Sequence, residues 1–178
     1  DMDGTLLSDD KKVSQENLAA IRLFVKAGGR FSVATGRSEV IAAPFLSDIP
    51  LNLPAIVYNG AAVYDFRMNR FLYQAELPRK TVRTFVNAAL SVYPEVCAAV
   101  YTNGVIQLLN RSGVMDHYIP NENQPYEYQT LEDFGLCMKL LFYGENAKLH
   151  KIEKKLYEIT GGKGFQSTFS APYYLEIL

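Results

Sequence analysis

The sequence has 178 residues, a length that fits one large domain or two small ones. Lysine and arginine number 18 against 19 acidic residues, for a net charge of -1, so the chain lacks the basic excess typical of nucleic-acid or membrane binding. It has no signal-peptide pattern and no apolar run of about eighteen residues, so we expect a cytoplasmic protein. Cys97 and Cys137 lack metal-ligand or redox spacing and are predicted to be buried thiols.

Residues 1–77 alternate between helical patterns and short apolar strands. Strand, helix, strand with short links is the pattern of a parallel sheet with crossover helices. The predicted elements are a helix over 14–28 with Ser14 as its N-cap, a strand over 31–34, a helix from Ser38 that Pro44 bends or splits, a strand over 56–58, and a hairpin over 61–75.

Residues 78–178 predict an α+β unit, with one or two helices over a mainly antiparallel sheet. Asn103-Gly104, between two apolar runs, is a strong hairpin signal. We place the domain boundary between Leu77 and Pro78. The predicted elements are helices over 79–93 and 146–160, a short helix over 112–118, a polar loop over 120–128, and strands over 96–102, 105–109, 136–143, 165–169 and 173–178.

The first five residues carry most of the chemistry. Asp1 and Asp3 lie two residues apart, so an extended backbone would turn both carboxylates toward one ligand. Gly4 would let the main chain turn closely around that ligand, and Thr5 adds a hydroxyl. An acid pair at such a turn suits metal-assisted chemistry at phosphate. A plain turn or a calcium loop is the alternative, but position twelve of the loop is Lys12 rather than glutamate.

Three polar clusters follow predicted strands of the first unit or stand at its start: residues 1–5, 35–37 and 59–60. Ligands of parallel α/β sheets bind beyond the carboxyl ends of the strands, so we expect the clusters to converge. Thr35-Gly36-Arg37 offers a hydroxyl, backbone N–H groups and a guanidinium, all suited to phosphate. Alone, it is also compatible with an ordinary strand-to-helix turn.

The segments 1–7, 34–37 and 58–61, read together, resemble the motifs of the haloacid dehalogenase (HAD) superfamily of phosphatases. More narrowly they resemble its Cof-type branch, which has a cap of type IIB inserted after the third core strand. The resemblance covers the whole chain. It implies an α/β fold: a partial Rossmann-like HAD core with a parallel sheet over residues 1–77, and an inserted α+β cap (type C2B) over residues 78–178.

The resemblance also implies catalytic and metal-binding roles for the acid pair. Asp1 would be the nucleophile that receives the phosphoryl group and would also bind Mg²⁺. Asp3 would protonate the leaving oxygen, later activate water, and offer its backbone carbonyl to the metal. The reaction implied is Mg²⁺-dependent hydrolysis of a small phosphate ester, such as a sugar phosphate or phosphorylated cofactor, through an aspartyl-phosphate.

The other motif residues would bind phosphate and substrate. Thr35 would hold the phosphoryl oxygens through its hydroxyl and neighbouring N–H groups, including that of Gly36, and Gly4 would permit a turn that supplies further donors. The remaining positions would line the substrate entrance; they are Arg37, Asn59 and Gly60.

Some family features are missing from this sequence. Family members carry a lysine and a Gly-Asp-x-x-x-Asp-like motif beyond the cap, and we expect both to lie after Leu178 in a longer protein. Lys163 lies in a predicted glycine turn, and Lys139 is predicted to face solvent from a cap strand, so neither fits the missing lysine. Gly144-Glu145-Asn146 only faintly resembles the acidic motif.

Two other functions stay open: a phosphomutase of the same superfamily, and a non-catalytic phosphate-binding regulatory module. The presence of both Asp1 and Asp3 argues against the module, which needs no acid/base carboxylate. His117 and His150 each lack a partner at ligand spacing and are predicted to be ordinary histidines. The loop Tyr118 to Tyr128 could select the leaving group, although packing is the favoured interpretation.

Overall fold

The computed structural model describes residues 1–113 and 124–178, which form two compact units, Asp1–Ala75 and Glu76–Leu178. The boundary predicted from sequence, between Leu77 and Pro78, lies two residues further along the chain. Most of the predicted short helix over 112–118, the loop residues 120–123 and His117 lie outside the described residues. Within the described residues, no helix combines the length and the apolar character that crossing a membrane requires.

The first unit contains two helices and a three-stranded antiparallel sheet in the order β1-β2-β3. Ser14 caps the first helix, as predicted, because its side chain accepts a hydrogen bond from the N–H of Asn17. Pro44 lies in the last turn of the short second helix and does not split it. The elements are α1 Gln15–Lys26, α2 Glu39–Leu46, β1 Ala55–Val57, β2 Ala62–Asp65 and β3 Arg70–Gln74.

The predicted strand over residues 31–34 appears as a single parallel bridge, between Ala34 and Ile56. The N–H of Ile56 donates to the carbonyl of Val33 (2.9 Å), and the N–H of Thr35 donates to the carbonyl of Ile56 (3.0 Å). Such a slanted pattern is that of a parallel ladder. The segment therefore runs beside β1 in the expected direction and delivers Thr35 to the end of that strand.

The core of the first unit is formed mainly by residues before β1. Met2 is fully buried, and Leu18 and Ile21 bury one face of α1. Phe24 lies three residues after Ile21 but is about half exposed (52%). Its ring lies over Gly29, where an added Cβ would come within 2.5 Å of a ring atom. The glycine after α1 thus gives Phe24 a flat surface outside the core.

The second unit is a six-stranded sheet in the order β6-β5-β4-β7-β9-β8, with two helices. Asn103 and Gly104 both adopt positive φ (39° and 78°), which confirms the predicted hairpin between β4 and β5. The polar loop prediction was wrong at its end, because Tyr126–Tyr128 forms an edge strand parallel to β5. The elements are α3 Arg79–Leu90, β4 Cys97–Thr102, β5 Val105–Leu108, β6 Tyr126–Tyr128, β7 Lys139–Tyr143, α4 Asn146–Thr160, β8 Ser167–Ala171 and β9 Tyr174–Ile177.

Alternate residues of the central strands pack against the two helices in one apolar core, which includes Val100, Leu140 and Leu149. The two cysteines are free and buried, as predicted. Burial raises the pKa of the Cys97 thiol to about 12 and also raises the pKa of Cys137. Both thiols are therefore chemically unreactive near neutral pH.

Lys139 was predicted to face solvent, and this was wrong. Its Nζ lies 3.1 Å from Glu176 Oε1, and both side chains are about 6% exposed. Ser170 Oγ also donates to Glu176 Oε1 (2.9 Å), and the ammonium lies 4.7 Å from the ring centroid of Tyr101. Lys139 does point to the sheet face opposite the core helices, as the alternation of side chains along a strand predicts. Residues on that face are buried too, however, and Leu141 is an example.

We predict that Lys139→Met lowers the free energy of unfolding by about 3–5 kcal/mol, because Glu176 would stay buried and lose the ammonium of Lys139. The double variant Lys139→Met/Glu176→Leu should recover most of the loss. Lys148→Met, which removes an exposed pair with Glu95, should cost less than about 1 kcal/mol. Urea denaturation of the three variants measures the differences. A Lys139→Met protein as stable as the wild type would contradict the prediction.

Candidate active site

The acid motif folds into a tight turn around one carbonyl. Met2 O accepts hydrogen bonds from the N–H groups of Leu6 (3.1 Å) and Leu7 (2.8 Å), and Gly4 takes a positive φ of 74° within the turn. Met2 is buried, whereas Asp1 and Asp3 are exposed. The alternation predicted from sequence therefore leaves both acids available to a ligand.

The two carboxylates have different partners. Asp1 Oδ2 accepts one hydrogen bond, from the hydroxyl of Thr5 (2.9 Å). Asp3 accepts three from two cations. Arg37 binds the carboxylate in a bidentate manner: Nε donates to Oδ2 (2.7 Å) and Nη2 donates to Oδ1 (2.8 Å). Lys11 Nζ also donates to Oδ1 (2.9 Å). Asp3 is thus paired with two cations, whereas the partner of Asp1 is a neutral hydroxyl.

Arg37 is fixed on its second side by an aromatic ring. Its guanidinium carbon lies 4.4 Å from the ring centroid of Phe45, within the range of cation–π contact. The arginine side chain is 18% exposed, compared with 56% for Lys11. Arg37 is therefore the less exposed partner of Asp3, held in position by Phe45, and Lys11 is the partner that faces solvent.

These contacts change the acidity of Asp3. The hydrogen bond from Arg37 is the largest cause that lowers its pKa, from 3.8 to about 2, and Lys11 lowers it further against the opposing effect of burial. Asp3 is consequently ionised throughout the neutral range when the site holds no substrate. It would accept a proton there only after the cations were drawn toward another anion.

The Thr35–Arg37 segment and the turn at Tyr58–Gly60 are joined through their backbones. Asn59 N–H donates to Thr35 O (3.1 Å), and Tyr58 N–H donates to Arg37 O (3.0 Å). The two non-glycine turn residues have positive φ, 53° at Tyr58 and 55° at Asn59, and Gly60 follows at 104°. Left-handed backbone is unfavourable for tyrosine, so surrounding contacts must hold the turn in place.

One such contact is a buried hydrogen bond from the Tyr58 hydroxyl to Glu39 Oε2 (2.7 Å). Glu39 is the first residue of α2, and Ser38 caps that helix by accepting from the N–H of Ile41. Because the carboxylate also lies in the first helical turn, the helix dipole favours its negative charge. The start of α2 and the strained turn are thereby connected.

Gly36 leaves just enough room for Asn59. A Cβ built on Gly36 would lie 2.0 Å from Asn59 Oδ1, which is a severe overlap. Main-chain N–H groups beside it are already used, because Thr35 donates to Ile56 O and Arg37 donates to Thr35 Oγ1 (3.2 Å). The Thr35 hydroxyl can still donate to a ligand.

The structure therefore brings several predicted site residues together: Asp3 with Arg37, and Thr35, Gly36 and Arg37 with the Tyr58–Gly60 turn. No hydrogen bond within the described residues joins Asp1 or Asp3 to Thr35 or Asn59. Sequence reasoning missed three residues of the site, namely Lys11, Glu39 and Tyr58. The only sequence signal for Lys11 was the charged run Asp9-Asp10-Lys11-Lys12 beside the acid motif.

The donor set is compatible with Mg²⁺, which proteins often hold with one or two carboxylates while water and phosphate fill the remaining positions. Asp1 has an exposed carboxylate, and Asp3 offers a main-chain carbonyl, since its side chain is occupied by cations. In the part of the chain that the structure describes, no three His, Cys, Asp or Glu residues converge as a metal cluster.

A turn that holds two carboxylates beside an arginine and a strand-end threonine can serve phosphoryl transfer. Comparison with known proteins agrees with this geometry. A family model described as haloacid dehalogenase-like hydrolase matches residues 1–178. The chain belongs to this family. Its structure combines the α/β core and the cap of the HAD fold.

An HMP-PP phosphatase from Serratia proteamaculans is 38% identical over the whole of this chain and 65% of its own length. A haloacid dehalogenase-like hydrolase from Bacteroides thetaiotaomicron superposes on 99% of this chain and 68% of its own, with a TM-score of 0.83 and 24% identity. The HAD subclass IIB sugar phosphatase BT4131 superposes on 99% of this chain and 66% of its own (TM-score 0.75, 16% identity). The chain spans less than two thirds of the length of the curated relatives it matches.

We predict that Arg37→Gln raises the pKa of Asp3 in the metal-free protein from about 2 toward 3.8. Because the folded-state pKa lies below the unfolded one, the pair stabilises the fold above about pH 4 and loses this effect as pH falls toward 2. Carboxyl ¹³C NMR titration of Asp3 measures the shift, with Arg22→Gln as a control. Equal Asp3 pKa values in the wild type and Arg37→Gln would refute the assignment.

We predict that Gly36→Ala lowers the free energy of unfolding by about 1–3 kcal/mol, the usual cost of overpacking, because Asn59 must move. Adding Asn59→Gly should restore stability, since glycine removes the overlapping oxygen and accepts a φ of 55°. Gly113→Ala has open space around its Cβ and serves as the control. Chemical denaturation compares the variants. A double variant no more stable than Gly36→Ala would contradict this explanation.

Proposed function

We propose that the protein is an Mg²⁺-dependent phosphomonoester hydrolase that acts on small phosphorylated metabolites, such as sugar phosphates or phosphorylated cofactors. The observation that carries the proposal is the unequal acid pair. Within the described residues, the exposed Asp1 carboxylate accepts a hydrogen bond from Thr5 alone, whereas Asp3 is bound by Arg37 and Lys11. Two carboxylates in different environments can take different roles in one reaction.

Asp1 is the nucleophile in this proposal. Its free oxygen attacks phosphorus while the hydroxyl of Thr5 holds the other oxygen and fixes the carboxylate orientation. The bond from phosphorus to the ester oxygen breaks, and its electron pair leaves with that oxygen. The product on the enzyme is an aspartyl-phosphate, which water then hydrolyses.

Asp3 is the acid and base. It gives a proton to the leaving oxygen in the first step and removes one from the attacking water in the second. The metal-free, substrate-free site holds it ionised, which suits the second step. A phosphate dianion that shares Arg37 and Lys11 would weaken their hold on Asp3 and allow it to be protonated for the first step.

The neighbouring residues would bind the phosphoryl group and substrate. The hydroxyl of Thr35 donates to a phosphoryl oxygen, and the turn residues Gly4 and Gly36 allow the group to approach the main chain. Arg37, Asn59 and Gly60 border the site. Mg²⁺, held by Asp1 and the main-chain carbonyl of Asp3, would supply charge neutralisation for phosphoryl transfer.

Domain roles follow from the same proposal. Residues 1–77 supply the catalytic part of the HAD core, and residues 78–178 form the cap that selects the substrate. The names of a similar HMP-PP phosphatase and a similarly folded sugar phosphatase support a small phosphorylated substrate. The two names have in common a small phosphorylated substrate, but they do not indicate one compound.

The test uses phosphate release by the full-length protein from a panel of phosphorylated metabolites. We predict Mg²⁺-dependent turnover that chelation removes, no turnover in Asp1→Asn, and a loss of about 10²–10⁴-fold in Asp3→Asn. Asp9→Asn, an exposed acid in the neighbouring loop, should behave like the wild type.

Two results would contradict the proposal. Substantial turnover by Asp1→Asn would remove the nucleophile assignment. Transfer of phosphate between positions of a sugar in the presence of its bisphosphate, without phosphate release, would identify a mutase instead.

A further inference from the structure

We propose that Lys11 binds the leaving group of the substrate and favours phosphate esters whose leaving group carries a second anionic group close to the ester oxygen. The proposal rests on the proposed function, because it requires Asp3 to be the acid that protonates the leaving oxygen. It names a substrate-selecting residue in the first unit and the substrate chemistry that this residue fits.

A short, hydrogen-bonded loop presents Lys11 to the acid pair. Leu7 and Val13 form an antiparallel bridge, and the loop between them closes through Ser8, whose N–H donates to Lys12 O and whose carbonyl accepts from Lys11 N–H (both 2.9 Å). Lys11 itself has a left-handed φ of 59°. The loop thus holds a lysine in a conformation that glycine or asparagine would adopt more easily.

Lys11 has donors to spare. An ammonium group carries three N–H donors, and within the described residues Lys11 Nζ uses one, on Asp3 Oδ1. Arg37 donates to Asp3 through Nε and Nη2, and its guanidinium also stacks on the ring of Phe45. Of the two cations, Lys11 is the more exposed (56%, compared with 18% for Arg37), so it is the better placed to contact the leaving group as well.

The position of Asp3 determines what Lys11 can contact. An acid must come within about 2.6–3.2 Å of the oxygen that it protonates. Lys11 Nζ lies 2.9 Å from an oxygen of that same carboxylate. The leaving oxygen and the ammonium are then neighbours around one carboxylate, so a substituent one or two bonds from the leaving oxygen comes within reach of Nζ. A carboxylate or phosphate there would gain a charge-assisted hydrogen bond.

Lys12 provides a matched control in the same loop. It is the next residue and has the same charge, but its Nζ lies 3.5 Å from Asp10, its side chain is 78% exposed, and it makes no ion pair with Asp3. A general effect of positive charge near the site would appear in both lysines. A specific contact with the leaving group would appear in Lys11 alone.

The experiment compares phosphoglycolate, whose leaving group has a carboxylate next to the ester carbon, with propyl phosphate, whose leaving group is of similar size but carries no charge. We expect Lys11→Met to reduce the ratio of the two kcat/KM values about 10- to 100-fold, the range for losing one charge-assisted hydrogen bond. The ratio cancels any effect on Asp3 that is common to both substrates. Lys12→Met should leave the ratio unchanged, and Lys11→Arg should largely preserve it.

A binding measurement makes the outcome independent of turnover. In the Asp1→Asn background, calorimetry with the same two compounds should show the same preference for phosphoglycolate and the same loss in Lys11→Met. An unchanged ratio in Lys11→Met, or binding of neither compound, would overturn the proposal. A binding preference that depends on Lys11, in a wild type with no Mg²⁺-dependent turnover, would instead refute the proposed function and retain Lys11 as an anion-binding residue.

Discussion

The ion pair between Asp3 and Arg37 joins two segments that lie 34 residues apart in the chain. Nε and Nη2 of Arg37 each donate to one oxygen of Asp3, so the pair fixes the plane of the carboxylate as well as its distance from the guanidinium. A lysine at position 37 could not fix that plane. Phe45 supports the far side of the guanidinium. The orientation of the Asp3 carboxylate thus depends on α2, a helix that begins only after the Thr35–Arg37 segment.

The backbone around this pair is held by contacts that ordinary turns do not need. Asn59 and Tyr58 donate to the carbonyls of Thr35 and Arg37 while adopting left-handed φ values, and the buried bond from Tyr58 to Glu39 secures the turn against the start of α2. Strain of this kind persists only where neighbouring groups over-determine the conformation. In the proposed reaction, this would keep the donors and carboxylates in place before a substrate binds and lower the cost of organising them.

Local patterns in the sequence predicted much of the fold. The Ser14 cap, the Asn103-Gly104 hairpin and the helix over 146–160 depend on neighbouring residues, and the structure confirms each of them. The predictions that were wrong concern residues whose state depends on contacts with segments distant in the sequence. Strand β6 exists because β5 offers a parallel partner, and Lys139 lies on a sheet face whose other residues, such as Leu141, are buried as well. Likewise, the motifs indicated that Asp3 and Arg37 belong to one site, but a contact such as Lys11 to Asp3 follows from loop geometry that no spacing rule contains.

The two buried cysteines have a practical consequence for studying a protein built of two units. Maleimides react with thiolates, and burial keeps the Cys97 and Cys137 thiols protonated and inaccessible. A cysteine introduced on an exposed position of each unit could therefore be labelled with a fluorophore while the native pair stays in place. Energy transfer between the two dyes would then report whether the distance between the units changes when a phosphate ester or Mg²⁺ is added, without replacing any core residue.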